Sequence, residues 1–324
     1  MESRPARVAR PGLRRPGRID LPLPGRPARI LLCRRPPPRA SGEPNVRWEE
    51  LTAPDFAKAV RRTGVCLLAA GCLEKHFDHL PLGTDFLNGH RICCLAAEKE
   101  PAVVFPPYYF GQIHEARCFP GAIAIAPVLT LELLMAVCDE IGRNGFRKIV
   151  IHNAHGGNTH LLNYLCQATL AQRKPYAIYL PEWFYPERRR KQFQALLRTK
   201  VHGHACECET SISLANHPHL VKMRAVRGRK AEPLGRYDHI PPSRVSGRWY
   251  SDFPDHYAGD AAAATVEKGR KLRQLMVDSL ADYVRAVKKD QVVLKLMDEF
   301  HTRCGKIADA QPHRAPAAKR RKKT

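Results

Sequence analysis

Gly71-Cys72-Leu73-Glu74-Lys75-His76-Phe77-Asp78-His79-Leu80-Pro81-Leu82-Gly83-Thr84-Asp85 follows directly on the apolar run Gly64-Val65-Cys66-Leu67-Leu68-Ala69-Ala70. The run reads as a buried strand that delivers its polar load at its carboxyl end, where open α/β sheets bind ligands. Glu74 and His76 lie two residues apart, and alternate side chains of an extended segment point the same way, so both can face one ion. Pro81 and Gly83 turn the chain and bring Asp85 back to the same place. Asp78 and His79 form a second polar pair. A solvated loop is the ordinary reading of any one of these residues, but the grouping of acids with imidazoles points to metal.

The same order of short apolar strand, polar loop and amphipathic helix recurs along the chain. Thr52 is placed to cap a helix opening at Ala53-Pro54. A helical pattern runs from Asp85 to Glu98, and Ala102–Phe105 reads as a buried strand ended by Pro106-Pro107. The long aromatic loop 108–121 follows, a candidate substrate wall in which His114 and Glu115 can reach a ligand or simply face solvent. A helix over Thr130–Asn144, capped by Thr130, leads to a strand at Arg147–Ile151 and the loop His152-Asn153-Ala154-His155-Gly156-Gly157-Asn158. Tyr176–Leu180 reads as a strand, the aromatic turn Glu182–Pro186 with Trp183 as a pocket wall, and Glu187–Thr199 as a charged helix. A third polar cluster spans Val201–Leu214. Residues 224–258 give no clear assignment, although Trp249, Tyr250 and Phe253 are suited to covering a site entrance. A long amphipathic helix then carries Leu272, Leu275, Met276, Leu280 and Val284 on one side. This alternation predicts one α/β domain, a three-layer α/β/α arrangement with a mainly parallel central sheet and the three clusters gathered at strand carboxyl ends.

Five of these segments resemble the creatininase (creatinine amidohydrolase) family. The opening stretch resembles its G-x-x-E-Q-H-G-P-H-L-P-L-G-T-D signature, with Lys75 for Gln and Phe77-Asp78 for Gly-Pro. Residues 119–122 resemble F-P-G-T, with Ala122 for Thr. Residues 153–158 resemble N-G-H-G-G-N, with Ala154 the single change. Residues 202–211 resemble D-x-H-A-G-x-x-E-T-S, with His202 in place of the acid and Cys206 in place of Gly. Residues 259–269 resemble G-D-P-x-x-A-T-x-E-K-G.

The resemblance implies a ligand set of Glu74, His76, Asp85, His155 and Glu209. Asp85 would bridge two ions, with Glu74 and His155 completing one shell and His76 and Glu209 the other. Three carboxylates and two imidazoles suit Zn, Mn or Fe better than Ca or Mg. His204 is the candidate proton carrier beside the catalytic Asp85. The family's creatininase has a Glu two residues after the position of His155, where this chain has Gly157, which favours Glu209 as fifth ligand and counts against creatinine itself. A small amide or peptide-like substrate and a homo-oligomer are further implications.

Charge separates the ends from the middle. The net charge is +23, yet residues 1–45 hold eleven Arg against three acids and residues 312–324 hold six Lys or Arg with no acid. About three fifths of the excess therefore sits in two short tails. Residues 1–45 are Arg- and Pro-rich and read as a disordered extension, with a transit peptide or a downstream native start as alternatives. The folded domain is expected over 46–290, and 291–324 as a C-terminal segment with a basic tail. The eleven cysteines form no C-x-x-C pairs or spaced framework, and Cys93-Cys94 and Cys206-x-Cys208 read as too close for ordinary bridges, so reduced thiols in a cytoplasmic protein are expected. No run approaches the ~20 apolar residues of a membrane helix. The competing function is a catalytically inactive relative that binds nucleic acid or other anions non-specifically through its tails.

Overall fold

Val65, Leu67 and Ala69 point to one side of the first strand, Cys66, Leu68 and Ala70 to the other, and none is more than 1% exposed. A strand buried on both faces needs helices above and below it, and the computed structural model, which describes residues 46–182 and 186–306, shows them. Strand β1 (Val65–Ala70) lies between β2 (Val103–Val104) and β3 (Lys148–Asn153), and β4 (Ala177–Tyr179) extends the sheet beyond β3. All pairings are parallel, in the order β2-β1-β3-β4. The expected three-layer architecture is present.

On one face Cys66, Leu68, Ile149 and Ile151 pack against α1 (Ala53–Thr63), α3 (Pro127–Arg143) and α4 (Thr159–Ala168), through Ala59, Leu134, Ile141, Leu162 and Leu165. On the other, Leu67, Ala69 and Val150 meet α2 (Thr84–Lys99), α5 (Arg188–Ala195), α6 (Glu207–Asn216) and α8 (Val266–Lys289), through Ile92, Phe193, Ile212, Leu272 and Leu280. Removing one of the central Leu side chains would cost about 2–5 kcal/mol, because so dense a core does not close over the gap. Helix α9 (Val293–Cys304) lays Leu294 and Met297 against this second core.

A smaller antiparallel sheet, in the order β5 (His202–His204), β7 (Ala258–Asp260), β6 (Lys230–Ala231), stands apart from the parallel one. The short helix α7 (Arg248–Asp252) precedes β7.

Several local expectations shift. Thr130 does not cap α3; the helix begins at Pro127, and the Thr130 hydroxyl, buried inside it, donates to Ala126 O. Pro at the first helical position explains the earlier start, since its ring presets φ and its missing N–H loses nothing there. β3 runs two residues further than its apolar run, through His152 and Asn153, because β1 pairs with it to the end. Thr52 does cap α1, and Thr265 caps α8. Trp183 and the tails 1–45 and 312–324 lie outside the described residues.

Candidate metal centre

The three polar clusters converge at the carboxyl ends of β1 and β3. Gly71 makes the first approach possible: a Cβ there would sit 2.6 Å from Phe86 N and 2.7 Å from Phe86 Cα. That contact presses the first turn of α2 onto the end of β1, and Asp85 lies in this turn. The Asp85 carboxylate reaches two imidazoles, with Oδ1 3.0 Å from His76 Nε2 and Oδ2 3.1 Å from His155 Nδ1. Glu74, fixed by its backbone N–H donating to Leu82 O, places Oε1 2.8 Å from His155 Nδ1. All four residues are buried.

Glu209 arrives from α6. It stands in the first turn of that helix rather than more than a turn in, and Ala205 N donates to its Oε2 at 2.5 Å. His204 is on β5, short of the helix, and its ring packs on His76 at a centroid distance of 4.2 Å. Three overlapping groups of ligand atoms result: Cys72, Glu74, Asp85 and His155; His76, Asp85 and Glu209; and Glu74, His76 and His204. Asp85 belongs to two of them, and so do Glu74 and His76.

The electrostatics call for cations. Burial opposes charge on His76, but Asp85 outweighs it and raises the imidazole to about 9. His155 is likewise buried, and Glu74 and Asp85 carry it well above its ordinary value. Burial opposes ionisation of Glu74 too, but His204, His155 and a hydrogen bond from His256 hold it well below the usual carboxylate range. Glu209 is pushed up to about 8 by burial, with Cys206 adding to the push. Burial drives His204 down to about 3, so its ring is neutral, and its Nε2–H donates to Lys75 O at 2.7 Å.

A metal ion fits this donor set. The buried Glu74 Oε1 has no hydrogen-bond partner despite lying 2.8 Å from His155 Nδ1. The contact does not meet hydrogen-bond geometry, which leaves both atoms available to one ion.

Two further residues hold the ligands. His256 Nε2 donates to Glu74 Oε2 at 2.8 Å, and Trp249 Nε1 donates to His256 Nδ1 at 3.2 Å, which fixes the tautomer. The second residue is Phe77, which occupies a left-handed conformation at φ 50° where the resembled signature has Gly; His256 is left-handed as well, at φ 55°. Such backbone costs of order 1–3 kcal/mol per residue. At Phe77 it is offset by stacking on Tyr257 at 4.5 Å and by the Arg229 guanidinium 4.9 Å from the ring centre. His256 was not expected: it lies in the unassigned stretch, where Trp249, Tyr250 and Phe253 were the signals of a site entrance.

The remaining sequence candidates separate. Asp78 is exposed, 3.5 Å from Lys75 Nζ, while His79 is fully buried and donates from Nε2 to Thr210 Oγ1 at 2.8 Å. His114 and Glu115 form the short 3₁₀ turn His114–Ala116, half-buried and outside the three ligand groups. Glu115 accepts from Gln112 Nε2 at 2.9 Å. A Cβ on Gly157 would lie 2.4 Å from His155 Nε2, 2.9 Å from Gln112 Oε1 and 3.0 Å from Glu115 Oε1, so a side chain there would have to displace these groups. A cleft of about 640 Å³ opens beside Glu209, walled by Asn153, Arg190, Phe193, His202, Cys206 and Cys208 among others.

A parallel α/β sheet with a buried, metal-capable cluster at its strand ends defines a class of α/β proteins with a metal-capable centre. Residues 49–284 match the creatininase family, described as creatinine amidohydrolase, and the chain belongs to that family. It is 25% identical to the creatinine amidohydrolase of Pseudomonas putida over 73% of this chain and 95% of that protein. It is 28% identical to a mycofactocin precursor peptide peptidase of Mycolicibacterium smegmatis over 69% of this chain and 86% of that one. A solved mutant creatininase of Zn-Zn type superimposes with a TM-score of 0.62 at 22% identity, covering 75% of this chain and 98% of that one.

Proposed function

We propose that this chain is an amidohydrolase that uses two divalent ions to cleave a C–N bond in a small amide or peptide-like substrate. The observation that carries the reading is the Asp85 carboxylate, each of whose oxygens faces a different imidazole. Glu74 and His155 would hold one ion with it, and His76 and Glu209 the other. Two such ions, when bound, lower the pKa of a shared water and polarise the substrate carbonyl. The Zn-Zn description of one solved relative and the hydrolase names of the two curated relatives support the reading.

The protein's own groups supply the rest. His204 gives its Nε2–H to Lys75 O, so that nitrogen is not free to ligate, and the ring is left as a proton carrier. In the neutral ring Nδ1 is the nitrogen left to take up a proton and pass it to the leaving amine, against the burial that disfavours the charged form. His256 and Trp249 orient Glu74, as outer partners of ligands generally do. The cleft is in the size range of small-molecule sites, and its Asn153, Arg190 and Glu187 offer polar contacts. With no side chain at Gly157, the space next to His155 is taken by Gln112 and Glu115. The buried thiols support a reducing, cytoplasmic setting, and the family supports a homo-oligomer. Among the described residues no helix is long and apolar enough to cross a membrane. The tails on which a nucleic-acid role would rest lie outside the described residues.

The test is a panel of lactams, formamides and short peptides assayed before and after chelation, with Zn or Mn restored. Turnover that disappears with the metal and returns with it supports the proposal. A metal-loaded chain inert to the whole panel contradicts it.

A further inference from the structure

The cleft wall next to Glu209 carries two sulfurs in contact. Cys206 Sγ and Cys208 Sγ are 3.2 Å apart, and both residues line the cleft. Cys206 is buried and extended, just ahead of α6, while Cys208 is half-buried in the first turn of that helix. The resembled family motif has Gly at the first of these positions, so the pair is a feature of this chain rather than of the motif.

We infer that Cys206 and Cys208 are a redox modification site, closing to a reversible disulfide when a hydroperoxide enters the cleft. Residues two apart have Cα atoms at most about 7 Å from each other, which is at the upper edge of what a bridge spans. The sulfurs need to approach by about 1.2 Å to reach the bonded distance of ~2.05 Å. One Sγ attacks the peroxide O–O bond, giving a sulfenic acid and releasing an alcohol or water. The second Sγ then displaces the sulfenic oxygen as water, so two thiols lose two electrons and two protons while one peroxide is reduced. A soft-metal site is the competing use of two thiols. His202 hydrogen-bonds Cys206, but among the described residues no third ligand atom gathers with both sulfurs, which favours the disulfide.

The remaining thiols are differently placed. Cys66, Cys72, Cys93, Cys94 and Cys138 have no exposure, out of reach of a soluble oxidant, Cys166 is half-buried and does not line the cleft, and Cys118 and Cys304 are exposed singly. Position matters for the consequence as well. Gly259 abuts Cys206 so closely that a Cβ on it would be 2.7 Å from Cys206 Cβ, and Cys206 O accepts from Thr210 N at 2.9 Å. Cys206 is therefore held, and closure must move Cys208. Glu209 follows Cys208 directly, so oxidation shifts a carboxylate assigned to the metal centre. This consequence rests on the proposed function, but formation of the bridge does not.

The experiment uses the full chain, treated with hydrogen peroxide, alkylated with iodoacetamide and digested with trypsin without reductant. Cleavage after Lys200 and Lys222 releases 201–222, a peptide whose cysteines are Cys206 and Cys208 alone. The expected product lacks two hydrogens, carries no alkyl group and reverts with dithiothreitol. Alkylation of both cysteines, or a separate sulfinate on one, overturns the inference. In parallel, oxidation should weaken metal retention ~10-fold or more in the native chain, and leave it unchanged in Cys208→Ser. A bridge formed with no change in metal retention overturns the coupling to Glu209. A reduced chain that binds no metal sinks the proposed function, and the peptide mass still decides the bridge.

Discussion

The two sheets of this protein reach the same carboxylate from opposite sides, and they do so by different means. The parallel sheet ends in Glu74 and His155 and carries Asp85 on the helix that follows, all on backbone held by strands buried on both faces. The antiparallel sheet brings His204 on β5 and, beside β7, His256, whose backbone is left-handed and whose ring needs Trp249 to orient it. The ligands assigned here come from the parallel side, apart from Glu209 on α6, and proton placement and orientation come from the antiparallel side. The comparison teaches that Glu74 is shared property: Oε1 faces His155, while Oε2 accepts from His256.

The division is broken most severely at Asp85. In Asp85→Ala each ion loses a ligand and the negative charge between the two cations falls, so at least one ion should leave and hydrolysis should cease. Metal analysis and assay of the same preparation check this; full occupancy would remove Asp85 from the bridging role. His204→Ala should act on the other side of the comparison, with metals retained and the rate down ~10²–10⁴-fold. Loss of metal there would make His204 a ligand after all.

A weaker break is His256→Phe, which leaves Glu74 Oε2 without its donor. Metal affinity should fall ~10–100-fold with the fold intact, as read by competition with a chromophoric chelator. An unchanged affinity would leave the Trp249–His256 pair without its positioning role.

These tests separate what was legible in the sequence from what was not. Val65–Ala70 showed its strand because six apolar residues in a row have one plausible fate, and the gathering of Glu74, His76 and Asp85 was legible because they follow it closely. The motif around His155 was equally plain. His256 was hidden because it lies 182 residues from the carboxylate it serves, in a stretch with no periodicity. Only tertiary packing of Phe77 against Tyr257 brings it there. The placing of Thr130 failed for a smaller reason: Pro127 is the stronger start signal. The Asp78 and His79 pair was read as one feature, yet in the turn from His76 to Leu80 the two side chains part, one to Lys75 and solvent and the other to Thr210.

The smallest effect concerns that last histidine. Burial pushes His79 down to about 4, whereas an unfolded imidazole titrates near 6.5. The unfolded state therefore binds more protons between these values, and stability is lost as pH falls from about 6.5 toward 4. In chelator, so that loss of metal does not intervene, melting temperature should drop across this window. The drop should be shallower in His79→Asn, which keeps a donor for Thr210 without a titrating ring. Identical slopes would show that other buried histidines, such as His90 and His152, account for it.

The central claim is that one carboxylate, Asp85, joins two metal sites. The most direct measurement is the number of Zn or Mn ions per chain in the native protein, by elemental mass spectrometry after exhaustive dialysis. The account predicts two ions per chain in the native protein and at most one in Asp85→Ala. A single ion in the native chain, retained when Asp85 is replaced, would contradict it.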